Sequence, residues 1–118
     1  MQIIKNKPRH FSVLSGDDAL TLPMIHLGGT GVISVIANSN PIEYSDMVRA
    51  ALEKDCEKAN ELHYKLLDLI AALFEEGSPA GVKAALEIQG LCNDEVRLPL
   101  VSASDKLKEK IKSLLAIL

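Results

Sequence analysis

A doubled carboxylate, Asp17-Asp18, and a glycine cluster, Gly28-Gly29-Thr30-Gly31, are the residues of this chain that most invite a chemical reading. Paired carboxylates can share a proton and divide acid and base roles. Adjacent residues at a strand end point in different directions, so these two are read separately. Asp18 is expected to cap the start of a following helix, and Asp17 to stand at the mouth of a site. The glycine cluster lacks the Lys-Ser/Thr of a phosphate loop and the spacing of a dinucleotide fingerprint, so it reads as a structural turn. His10, His26 and His63 are scattered, with no carboxylate or cysteine at metal-ligand spacing, and no metal is expected. Cys56 and Cys92 fit neither a CxxC nor a zinc pattern and read as reduced thiols.

The chain has 118 residues, one domain's worth. Hydrophobic residues make up 47% and charged residues 25%, the composition of a soluble globular protein. Net charge is −3 and aromatics are 3%, with no basic stripe interleaved with rings, so nucleic acid is not an expected partner. No apolar run reaches the ~20 residues that span a bilayer. "MQIIKNKPRHF" has basic residues but no apolar stretch with a cleavage site after them. The expectation is a cytoplasmic protein with no membrane partner.

The elements that must position these residues come in a lopsided order. Residues 11–15 are apolar, stop at Gly16 and read as a strand. Residues 18–26 fit a short helix, with Gly28-Gly29 as its stop. Residues 31–36 are rich in β-branched side chains and carry no charge, as in a parallel strand buried on both faces. Together they make a βαβ unit. Pro41 suits the first turn of a helix reaching Lys54. Asp55 restarts the helix, and Ala59, Leu62, Leu66, Leu69, Ile70 and Leu73 form one apolar face. Residues 75–79 break it, and residues 80–91 resume it. Residues 93–104 read as an extended connector. Leu107, Ile111, Leu114, Leu115 and Leu118 line a last helix, whose Lys106, Lys108, Lys110 and Lys112 read as a solvated face. Two parallel strands leave unpaired edges, so the chain looks like part of a larger α/β architecture.

"LSGDDALTL" followed by "HLGGTGVISVIANSNP" resembles the last two βα units of the dihydrodipicolinate synthase (4-hydroxy-tetrahydrodipicolinate synthase) family of pyruvate-dependent class I aldolases. "GSPAGVKAALEIQGLCNDEVRLPLVSAS" resembles the family's helical tail. "GDD" and "GVISV" with a following Ala-Asn favour the synthases over sister enzymes such as N-acetylneuraminate lyase. The resemblance implies the C-terminal portion of a TIM (β/α)8 barrel, with residues 1–54 as partial barrel and residues 55–118 as a helical extension.

In such a barrel the strand ends build the site. The resemblance puts Gly16 and Asp17 beside that site and gives Ile33 a backbone carbonyl facing pyruvate, its side chain remaining in the core. It implies condensation of pyruvate with aspartate 4-semialdehyde through a lysine Schiff base, in lysine (diaminopimelate) biosynthesis, with no further cofactor. The reactive lysine, the proton-relay tyrosines and threonine, and the lysine feedback site fall upstream of the residues present. Lys5 and Lys7 correspond to the helix-and-loop region before the seventh strand and are not read as the nucleophile. No catalytic residue is therefore expected in this chain, which is expected to be inactive alone. The missing N-terminal half is a candidate partner, and unpaired edges point to a homo-oligomer. In the family frame His26 falls near a subunit contact. The competing class is a non-catalytic remnant serving as a helical partner-binding module.

Overall fold

The computed structural model describes residues 1–118. Helix α1 (Gln2–Asn6) leads into strand β1 (Leu14–Ser15), helix α2 (Thr21–His26) and strand β2 (Gly31–Val32). A 3-10 turn (Ile36–Asn38) follows. Helices α3 (Pro41–Leu52), α4 (Cys56–Phe74), α5 (Ala80–Ile88) and α6 (Asp105–Leu115) complete the chain.

The two strands pair in parallel, Leu14 opposite Gly31 and Ser15 opposite Val32, with α2 in the crossover between them. This is the expected βαβ unit. Both strands are shorter than residues 11–15 and 31–36, because neither has a second neighbour to extend its ladder. The chain leaves strand geometry after Val32, and the amides of Val35 and Ile36 turn to a side chain, Asp18. The expectation that this strand is buried on both faces is corrected in the same way: Val32 is half-buried and Ile33 is 72% exposed.

Helix α2 starts at Thr21, later than expected. It ends in a Schellman arrangement, with Gly28 N–H donating to Ile25 O at 2.9 Å and Gly29 N–H to Met24 O at 2.8 Å. Gly28 sits at φ +103°, a conformation that favours glycine. Asp55 restarts the helical run as expected, its carboxylate accepting from Lys58 N–H at 3.2 Å.

The core lies among the helices. Ala59, Leu66, Leu69, Ile70 and Leu73 on α4 are all buried. They pack with Met47 and Ala51 of α3, Ala84 and Ala85 of α5, and Leu107 and Ile111 of α6. Gly81 of α5 rests against the backbone of Leu73, where any side chain would collide with the Leu73 carbonyl. The lysines of α6 are not simply solvated. Lys108 bonds Glu87 at 2.9 Å and Asp94 at 2.7 Å, and Lys110 pairs with Glu75. These pairs tie α6 to α5, to the connector and to the end of α4.

The molecule measures 45 × 32 × 20 Å with a radius of gyration of 15.4 Å. A compact domain of this length has about 13.5 Å. The excess reflects a flat wedge whose strand side is bare: Phe11, Leu14 and Ile33 are exposed there.

Candidate functional site

The stretch Ser15-Gly16-Asp17-Asp18 turns back on itself at the end of β1. Ser15 Oγ donates to Asp17 O at 2.7 Å and accepts from Asp17 N–H at 3.2 Å. Thr21 Oγ1 donates to the same Asp17 carbonyl at 2.9 Å. The Asp17 carboxylate accepts from Leu20 N–H at 3.1 Å. Asp17 therefore does the turn-closing work expected of Asp18, and the capping expectation for Asp18 is corrected. Asp18 is 2% exposed, and its Oδ2 accepts from Val35 N–H at 3.0 Å and Ile36 N–H at 2.9 Å. The two carboxylates thus face different partners, as separate reading of the pair requires.

Tyr44, on α3, is the residue that inspection of the sequence missed. It is 1% exposed, and its hydroxyl lies 2.8 Å from Thr21 Oγ1 and 3.2 Å from Asp18 O. Burial, with the nearby Asp18 charge adding to it, pushes the phenol well above its ordinary pKa. It stays neutral and serves as a donor. The available signal was its place between apolar Ile36 and Met47 in a chain with few aromatics, where a buried ring needs a partner for its hydroxyl.

Ile33 lies at the open end of this belt. Its N–H donates to Ser15 O at 2.9 Å. Just past β1, the Asp17 amide goes to Ser15 Oγ, and no donor of the chain bonds the Ile33 carbonyl. The expectation that the Ile33 side chain is core is overturned by its 72% exposure; its barrel neighbours are not among these residues. An open cleft of about 520 Å³ lies here, lined by Leu14, Val32, Ile33, Ser34, Tyr44 and Arg49 among others. A Cβ added at Gly16 would meet nothing within 4 Å, so nothing in the chain itself requires glycine there.

The remaining chemistry-bearing residues do not converge on this cleft. Cys56 Sγ is 3.9 Å from His26 Nε2 on the surface, and Cys92 is a separate exposed thiol. His63 is buried on α4, which lowers its pKa. No group of three or more His, Cys, Asp and Glu side chains could hold a metal. Lys7 Nζ bonds Phe11 O at 2.9 Å in an exposed loop. No helix is long and apolar enough to cross a membrane.

The dihydrodipicolinate synthetase family model matches residues 1–118, the whole chain. The chain belongs to the dihydrodipicolinate synthetase family. Relatives named 4-hydroxy-tetrahydrodipicolinate synthase include those of Phocaeicola vulgatus, 50% identical over 113 residues, and Methanocaldococcus jannaschii, 52% identical over 104 residues. These alignments cover 96% and 88% of this chain, but 38% and 36% of the relatives. The crystal structure of dihydrodipicolinate synthase from Aquifex aeolicus superposes with a TM-score of 0.93 at 48% identity. That superposition covers 98% of this chain and 39% of the other. The fold is accordingly the C-terminal portion of a (β/α)8 barrel with its helical extension, and the chain spans somewhat over a third of the length of these relatives.

Proposed function

We propose that these residues complete the pyruvate site of a 4-hydroxy-tetrahydrodipicolinate synthase, a lyase of lysine (diaminopimelate) biosynthesis that condenses pyruvate with aspartate 4-semialdehyde. The observation that carries this is the Ile33 carbonyl, free of any partner in the chain and placed at the strand ends beside an open cleft. A carbonyl so placed can accept a hydrogen bond from the hydroxyl or N–H group that forms when pyruvate condenses with a lysine amine, and substrate sites of barrels lie at strand C-termini. Open space at Gly16 leaves room for the ligand, and Asp17 holds the loop at its rim. No catalytic residue is assigned in this chain. The Schiff-base lysine belongs to barrel residues outside it. Lys5 and Lys7 are not assigned this role; α1 carries no buried residue and the Lys7 Nζ bonds a loop carbonyl, which supports leaving them out.

Residues 1–54 supply the barrel portion and residues 55–118 the helical extension. The partner is the remainder of a synthase barrel, and self-association follows wherever the bare strand side has no such partner. The compartment is the cytoplasm, and neither nucleic acid nor membrane is bound. The exposed Phe11, Leu14 and Ile33 also suit a second reading, a non-catalytic module that docks a protein on this face. An aldolase segment of N-acetylneuraminate lyase type is the third.

The test is imine trapping. The chain is incubated with pyruvate and borohydride, alone and after co-expression with the N-terminal part of the Phocaeicola vulgatus synthase. Trapped pyruvate is expected on the N-terminal part of the complex and none on this chain. Aldehyde choice then separates the synthase from the lyase. A trapped adduct on this chain, or a stable complex that traps nothing, overturns the proposal, and the second result favours the module.

A further inference from the structure

Ile33 is held on both sides by the stretch that ends β1. On its N-terminal side, its own amide bonds Ser15 O at 2.9 Å. On its C-terminal side, the amides of Val35 and Ile36 converge on one oxygen, Asp18 Oδ2, at 3.0 and 2.9 Å. Backbone amides held by a carboxylate are held strongly, and both Asp18 and Ile36 are buried, away from competing water. Asp18 is itself fixed, because the Tyr44 hydroxyl reaches its carbonyl at 3.2 Å and Thr21 Oγ1 at 2.8 Å. Without these anchors the chain after Val32 has no ladder to define its path.

We propose that Asp18 is the positioning residue for the pyruvate-facing carbonyl. It sets the course of residues 33–36, and so the aim of the Ile33 carbonyl, without touching substrate. This rests on the function proposed above. One detail sharpens it. Asp18 Oδ1 has no hydrogen-bond partner, so a single oxygen does the holding. An asparagine can place its carbonyl oxygen where Oδ2 lies and its amide group where Oδ1 stands unpaired. Alanine leaves both backbone amides unheld.

The experiment uses the complex formed with the N-terminal part of the Phocaeicola vulgatus synthase, and compares Asp18→Ala, Asp18→Asn and Gly81→Ala with the parent. Gly81 lies in the helical extension and reports what destabilisation alone does. Asp18→Ala is expected to raise the pyruvate KM about tenfold while Asp18→Asn stays within about twofold. The KM for aspartate 4-semialdehyde is expected to hold in both. Gly81→Ala is expected to lower the melting temperature and leave the pyruvate KM alone. If Asp18→Ala does not fold, Asp18→Ser is measured against the same criterion. A folded variant lacking the carboxylate with a parental pyruvate KM overturns the proposal, as does an equal rise in both KM values. Should the parent complex trap no imine, the functional reading falls and this assignment falls with it. Should it trap imine while the pyruvate KM ignores Asp18, this assignment falls alone.

Discussion

The Tyr44 hydroxyl stands 2.8 Å from Thr21 Oγ1, bridging α3 to α2 beneath the strand ends. Both groups are buried, and the threonine passes the chain of hydrogen bonds on to Asp17 O. Removing the phenol oxygen deprives Thr21 of a donor without emptying the ring's pocket. Tyr44→Phe should therefore cost about 1 kcal/mol in urea unfolding. An unchanged midpoint would show that the bridge contributes nothing to stability.

His63 introduces a pH dependence. Its ring is buried and its Nδ1 has no partner, so burial lowers its pKa from 6.5. The unfolded chain binds this proton first as pH falls. Stability from a neutral His63 is thus complete above about pH 6.5 and is lost as pH drops from there toward the lowered native value. Melting temperatures measured from pH 7.5 down to 5.5 should decline, and His63→Leu should flatten that slope. An equally steep slope in the variant would assign it to other groups.

Gly81 and Gly16 make opposite predictions. A methyl at Gly81 meets the Leu73 carbonyl inside the α4–α5 contact, so Gly81→Ala should cost about 1–3 kcal/mol through overpacking. At Gly16 nothing lies within 4 Å, and Gly16→Ala should change stability by no more than about 0.5 kcal/mol. Under the proposed site it should nevertheless reduce turnover of the complex, by filling space assigned to substrate. Calorimetry and steady-state kinetics on both variants separate packing from function.

Lys108 pins the connector through Asp94, whose pKa its hydrogen bond lowers, and holds α5 through Glu87. These are surface pairs, weak for global stability. Their effect should be local. Lys108→Met should speed proteolytic cleavage within residues 91–104 while the melting temperature stays put. Cleavage at the parental rate would leave the connector to its own packing.

The parallel pairing of β1 and β2 was legible because two charge-free apolar stretches flank a short helix with a glycine stop. The core stripe of α4 was legible because Ala59 to Leu73 recur at helical spacing, a local signal that needs no distant partner to be read. Strand length was not legible. A β-branched run such as residues 31–36 signals a buried strand, yet its neighbours in a barrel are other chain segments, and alone it keeps only two ladder residues, Gly31 and Val32. The capping role expected of Asp18 falls to Asp17 because both can close a turn, and only the return of the chain at Val35 and Ile36, far off in sequence, decides which does. Tyr44 escaped notice for the same reason, since its partners lie on α2 and its approach.

The proposed site turns on one contact, between the Ile33 carbonyl and bound pyruvate. Labelling isoleucine carbonyls with carbon-13, with Ile33→Val to identify the Ile33 signal, allows it to be read directly by NMR. In complex with the N-terminal part of the Phocaeicola vulgatus synthase, adding pyruvate should shift the Ile33 carbonyl resonance and leave that of Ile70, buried in α4, in place. A complex that traps pyruvate while the Ile33 signal stays still would contradict the account.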